Sequence, residues 1–379
     1  MGDSYLKVNY DECITNVACS ILKYFNCNYY HKTIPILDEI LNEKNPENII
    51  LILFDGMGSR ILDKTLDKDS FLIKNRIKEI TSVFPSTTAS STLSIQTGLN
   101  PSEHGWLGWS NYISPINKII QLFWEVEKGQ SPKNDKNEEF LKIKENYLSP
   151  KLLVDIIKEK NYDTYSVSPY SDYKYKTLNQ MFNIIKEKLE IKNNKKKFMY
   201  VYNPEPDSTM HRYGCDSDEA KKLILERDKK LEVFYNKYLD KNSLMIIVAD
   251  HGHINGDHIY LSDYPDIKDL METSIFGEAR CPMFKIKDGK QNEFKELFDK
   301  YFGNDFYLLP KEEIINKQIF GDIKYQENKL FNSSLGDFIA INKNNDNKVL
   351  LDDNDFQMTS VHGGNSDDEI YIPLIVLYK

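Results

Sequence analysis

Asn48 to Asp55 reads Asn-Ile-Ile-Leu-Ile-Leu-Phe-Asp and runs straight into Gly56-Met57-Gly58. The apolar run from Ile49 to Phe54 is too short for a buried helix. It matches a strand covered on both faces, the kind found in parallel sheets flanked by helices. The acidic residue and the glycine mark where the strand stops and the chain turns. In open α/β sheets ligands gather at the carboxyl ends of the strands, which makes Asp55 the first residue of chemical interest.

The same pattern recurs in both directions. Ser82-Val83-Phe84 reads as a short strand stopped by Pro85. Asp163 to Pro169, Lys197 to Asn203, Ser243 to Asp250 and Ile372 to Tyr378 read as further strands. Amphipathic stretches such as Lys151 to Lys160 and Ser217 to Tyr238 lie between them. This alternation predicts an α/β fold with a central, mostly parallel sheet and helices on both faces. Two regions break the rhythm. Gly105 to Tyr147 begins with aromatics, ends in charges and reads as a surface excursion. Gly252 to Thr359 carries its own pattern: a strand near Met283 to Ile286, a helix near Gln291 to Tyr301, a strand Phe306 to Leu309 and a helix from Lys311. It reads as an inserted α+β cap subdomain. The expected division is therefore residues 1–251 and 360–379 as core and 252–359 as cap.

The chain has 379 residues, 40% of them hydrophobic and 12% aromatic, enough for a large core. Its formal net charge of −9 argues against a nucleic-acid polymer as partner, because phosphate backbones are bound by basic surfaces. The opening Met1 to Tyr5 has no basic region leading into an apolar run, and no apolar stretch is long enough to span a bilayer. Five cysteines without a C-x-x-C pair fit reduced thiols. The expectation is a cytoplasmic protein with no membrane partner.

Carboxylates and imidazoles stand where the strands end: Asp55; Asp207 and His211; Asp250 and His251; and His362 in the loop before the last strand. Individually each has a bland reading, such as a turn or a helix cap. Together, an Asp/His set without thiolates suits Zn²⁺ first and Mn²⁺ second. Asp207 and His211, four apart, share a face if a helix starts there. His104 reads as structural, and His253 and His258 as structural or accessory. A nucleophile is offered by Phe84-Pro85-Ser86-Thr87-Thr88-Ala89-Ser90-Ser91, where a hydroxyl at a helix start meets free N–H groups and the positive end of the dipole. By itself, that cluster reads first as a plain N-cap.

The FDGMG strand end, the FPSTTAS…TGLNPSEHG block, PDSTMH, ADHGH and HGG before the final strand occur in an order that resembles the type I phosphodiesterase/nucleotide pyrophosphatase family of the alkaline phosphatase superfamily. The resemblance implies an alkaline phosphatase-like fold and two metal sites. Asp207, His211 and His362 would form one, and Asp55, Asp250, His251 and the Thr88 oxygen the other. It selects Thr88 over Thr87 as nucleophile and implies a covalent threonine intermediate, then hydrolysis. Where the nucleotide pyrophosphatases place an Asn on a phosphate oxygen, this chain has Trp106-Leu107-Gly108-Trp109-Ser110, leaving Asn111 as a displaced counterpart. Trp106 and Trp109 are candidates to stack on an organic group of the substrate, and Trp124 reads as hydrophobic floor.

The expected function is that of a two-metal phosphodiesterase or nucleotide pyrophosphatase acting on a small phosphoester such as a nucleotide. The alternatives are a phosphomonoesterase or phosphonate hydrolase on the same site, and a non-catalytic metal-binding interaction protein.

Overall fold

The computed structural model describes residues 6–343, 346–353 and 355–379. Met1 to Tyr5, part of the leader reading, lie outside the described residues. Its centre is a six-stranded sheet in the order Arg76–Thr81, Tyr371–Leu377, Ser243–Val248, Asn48–Phe54, Lys197–Asn203, Asp163–Val167. Every residue of Asn48–Phe54 and of Ser243–Val248 is buried. Successive side chains of a strand point to opposite faces, so both faces of this sheet are covered.

Register explains how the site assembles. Phe54 pairs with Asn203 and Leu53 with Val248, all in parallel strands. Asp55 and Asp250, each two residues past the Leu53–Val248 pair, therefore leave the sheet at the same edge, and the segment leading to Asp207 departs beside them. Tyr371–Leu377 is antiparallel to both of its neighbours. Its starting end therefore lies at the edge where the parallel strands finish, and the loop carrying His362 arrives there too.

The structure corrects two readings. Ser82-Val83-Phe84 is no strand; the strand is Arg76–Thr81, and Ser82 to Phe84 form the buried link to the nucleophile helix. Arg76–Thr81 borders the sheet with most side chains half-buried, so its mixed sequence lacks the apolar run of a central strand. Likewise, Gly105 to Tyr147 is more than a surface excursion. Its strands Ser110–Ile113, Lys118–Gln121 and Val126–Glu127 extend a second, seven-stranded sheet whose other members are Phe276–Glu278, Cys281–Phe284, Phe306–Pro310 and Phe338–Asn342. That layer is built from two stretches of chain, joined where Gly277 pairs with Ser110.

Helix Gln291–Phe302 buries Phe294, Phe298 and Phe302, spaced four apart, among Phe284, Phe306 and Phe338. The two layers are locked by Arg280, fully buried, whose guanidinium grips Glu369 at 2.8 and 3.1 Å. Glu369 in turn accepts hydrogen bonds from the Gly364 and Ser366 main chain just after His362. All five cysteines are buried and free. Among the described residues no helix is long and apolar enough to cross a membrane.

Candidate active site and metal centre

Helix Thr88–Thr97 starts at the carboxyl edge of the central sheet with Thr87 as its N-cap. The Thr88 hydroxyl lies 3.1 Å from His251 Nε2 and 3.4 Å from Asp55 Oδ1. His251 Nε2 is 3.3 Å from Asp55 Oδ1 and 3.6 Å from Asp250 Oδ2. Beside this group, helix Asp207–Tyr213 presents Asp207 and His211 on one face, with His211 Nε2 3.2 Å from Asp207 Oδ1. A short ribbon pairs Val361 with Ile254, which brings His362 against His251, their rings stacked with centroids 3.8 Å apart. All seven residues expected as nucleophile or metal ligands thus converge.

His253 joins them. Two sets of potential ligand atoms lie within 4.8 Å of one another: Asp55, Asp250 and His251; and Asp207, His251, His253 and His362. The second set contains His253 and omits His211, whereas sequence reading favoured His211 and left His253 as structural or accessory. Both approach the same oxygen: His253 Nε2 is 2.7 Å from Asp207 Oδ1. The signal was the second histidine of Ala249-Asp250-His251-Gly252-His253, whose side chain the ribbon turns inward.

The protonation pattern tests whether cations fit. His211 Nδ1 donates to the Ser360 carbonyl and His251 Nδ1 to the Gly252 carbonyl, so in each neutral ring Nε2 carries a bare lone pair. The Ser360 hydroxyl gives its proton to the Ile254 carbonyl and therefore accepts from His253 Nδ1, leaving that Nε2 bare as well. Three lone pairs then face carboxylate oxygens at 2.7 to 3.3 Å, an arrangement that is repulsive without positive charge between them. Asp250 Oδ2 and His362 Nδ1 are buried without a hydrogen-bond partner. Among the described residues no Lys or Arg forms an ion pair with any of these groups. Divalent cations fit this donor set.

The same crowding shifts the titrations. Burial, then Asp250 and Asp207, raises Asp55 well above the ordinary carboxyl range. Burial opposes charging of His251, but Asp250, Asp55 and Asp207 outweigh it and lift the imidazole to about 10. Tyr202, from strand Lys197–Asn203, donates its hydroxyl to Asp55 Oδ2, which leaves Oδ1 facing Thr88. Sequence reading missed Tyr202, since a tyrosine inside a strand carries no spacing signal. It missed Glu278 for the same reason: this glutamate of the second sheet accepts from the Thr87 hydroxyl at 2.7 Å and is pushed by burial up to about 7.

The residues expected to touch substrate need correction. Asn111 is buried; its amide donates to the Gly105 carbonyl and its oxygen accepts from Leu107 N–H, so both ends are spent holding the loop. Trp106 is buried beside Ile113, Ile120 and Phe140, with its indole N–H on the Leu148 carbonyl. It is core, and Trp106→Ala is expected to cost about 3–5 kcal/mol of stability, read from the denaturant midpoint. Trp109 is half-buried and packs edge-on to Trp124. Trp124, expected as floor, is 38% exposed. His104, as expected, is structural: it bonds Ser94 and Trp106 N–H, and burial lowers it to about 3. His258 lies outside both clusters.

The architecture is the alkaline phosphatase-like α/β fold. The sequence profile described as type I phosphodiesterase/nucleotide pyrophosphatase matches residues 49–363, and the chain belongs to that family. Human ectonucleotide pyrophosphatase/phosphodiesterase family member 7 is 33% identical over 121 residues, which span 31% of this chain and 22% of that protein. Murine ectonucleotide pyrophosphatase/phosphodiesterase 5 superposes with a TM-score of 0.63 over 87% of this chain and 88% of its own, at 19% identity. Phosphonoacetate hydrolase from Sinorhizobium meliloti 1021 superposes with a TM-score of 0.62 over 88% and 90%, at 16% identity. An inactive variant of the murine protein has been solved in complex with AMP.

Proposed function

We propose that the chain is a metal-dependent phosphodiesterase of the nucleotide pyrophosphatase type, with Thr88 as its nucleophile. The observation that carries this reading is the Thr88 hydroxyl at a helix N-terminus, within 3.4 Å of both His251 and Asp55. Asp55, Asp250 and His251 would hold one cation with the Thr88 oxygen, and Asp207, His211 and His362 the other; Zn²⁺ suits the donors best and Mn²⁺ next. Such cations supply the positive field that favours a threonine alkoxide and offsets charge developing on the phosphoryl oxygens. Three aspartates and one alkoxide match the four positive charges of two divalent ions.

The chain's own groups do the rest. The bond from Thr88 Oγ1 to phosphorus forms as the bond to the leaving oxygen breaks. The first N–H groups of helix Thr88–Thr97, which have no partner within the helix, face the charge that develops. Hydrolysis of the threonine ester completes the cycle. Trp109, with Phe123 and Trp124, offers an aromatic wall for an organic group, a nucleoside base among the candidates. Burying a ring of that size is worth about 1.5–3 kcal/mol. A monoester brings a second negative charge and no second group, and no Lys or Arg among the described residues pairs with the site.

Accordingly, bis(p-nitrophenyl) phosphate is expected to exceed the monoester in kcat/KM. A monoester advantage of about tenfold or more, or ~1.4 kcal/mol in the barrier, would replace this reading with a phosphatase.

A further inference from the structure

Glu278 closes the strand Phe276–Glu278, where the second sheet reaches the nucleophile segment. Its Oε1 accepts from the Thr87 hydroxyl at 2.7 Å and from the Trp109 main-chain N–H at 2.6 Å. Its stem packs on Gly363, where a Cβ would lie 2.9 Å from Glu278 Cβ and Cγ and where φ of +100° already favours glycine. Thr87 precedes Thr88, and Gly363 follows His362. The carboxyl is therefore wedged between the segments that carry the proposed nucleophile and one of the site histidines.

It has no cationic partner: among the described residues no Lys or Arg pairs with it, and both of its hydrogen bonds go to Oε1. Two N–H and O–H donors on one oxygen favour the ionised form. A half-buried carboxylate without a cation, next to a site built for anions, is costly if it serves packing alone.

We propose that Glu278 is a specificity-determining residue that disfavours doubly charged phosphoryl groups, so the pocket takes monoanionic diesters in preference to dianionic monoesters. The proposal rests on the phosphodiesterase reading and deepens it. A second substrate charge meets the Glu278 charge in a partly desolvated pocket, where like charges repel far more than in water. The diester, with one charge, avoids that increment.

The test uses zinc-loaded full-length protein and Glu278→Gln, which keeps the carbonyl oxygen for Thr87 and Trp109. Calorimetry at about pH 8.5, above the value of about 7 to which burial lifts Glu278, compares inorganic phosphate with dimethyl phosphate. Glu278→Gln is expected to bind inorganic phosphate about tenfold tighter, or ~1.4 kcal/mol, and dimethyl phosphate within about twofold of wild type. The diester-to-monoester ratio of kcat/KM should fall about tenfold. Metal content by elemental analysis should not change. Glu278→Ala, which removes the charge without adding an amide donor, should move both measurements in the same direction and stands in if the Gln variant does not fold. Unchanged phosphate affinity, equal shifts for the two ligands, or no detectable phosphate binding to wild type and variants alike overturns the proposal. A wild-type preference for the monoester defeats the phosphodiesterase reading instead, since the role of Glu278 is read from the change between wild type and variant.

Discussion

Thr88→Ala is expected to lower turnover at least about a thousandfold, as removal of a nucleophile does, while leaving fold and metal content intact. Among the described residues the hydroxyl hydrogen-bonds His251 and Asp55 and no main-chain group. Its loss removes the attacking atom without opening the core. Thr88→Ser should retain measurable activity, because it restores an oxygen at the helix start without the methyl group. Thr87→Ala should be much milder; its hydroxyl donates to Glu278, whereas that of Thr88 lies against His251 and Asp55. Steady-state kinetics alongside circular dichroism and elemental analysis decide the matter. A dead Thr87→Ala beside an active Thr88→Ala would put the nucleophile one residue earlier.

Chelation is expected to remove activity and to lower the melting temperature together. Asp55, Asp207 and Asp250 are buried at one edge with no Lys or Arg beside them among the described residues, so the apo protein must protonate or hydrate them. Cations that bind only the folded chain stabilise it by about 2.7 kcal/mol per site at a hundredfold excess over Kd. For a chain of this size, two such sites correspond to a shift on the order of 5–10 °C. Re-addition of Zn²⁺ or Mn²⁺ should restore both readings, and elemental analysis should find about two ions per chain. Activity indifferent to a strong chelator, in protein free of metal, would sink the two-metal reading.

Much of the fold was legible because central strands advertise themselves. Ile49 to Phe54 and Leu244 to Ala249 are apolar throughout, as strands buried on both faces must be. The strand Arg76–Thr81 escaped notice because a border strand shows the core only part of its side chains. The strands in 110–127 escaped because they are short and join the rest of the sheet where Ser110 pairs with Gly277, far along the chain. Asn111 and Trp106 were misassigned for a related reason. Sequence places them near the nucleophile block, and only packing shows that Asn111 braces its own loop and that Trp106 faces inward.

What the sequence by itself made legible is which aspartates and histidines stand at or just past the strand ends; the choice of Thr88 over Thr87 came from the family resemblance. These are local properties, since a strand that stops at an acidic residue before glycine presents that residue whatever surrounds it. Only the tertiary structure decided which of these groups meet. His362 precedes a strand, and in a wholly parallel sheet it would have emerged at the far edge. It reaches Asp207 because Tyr371–Leu377 runs antiparallel between Arg76–Thr81 and Ser243–Val248. His253 and Glu278 enter by the same route, through a ribbon and a second sheet whose partners lie far along the chain. Strand direction and sheet partnership are set by the burial of whole faces, a sum over many distant residues that no short motif contains.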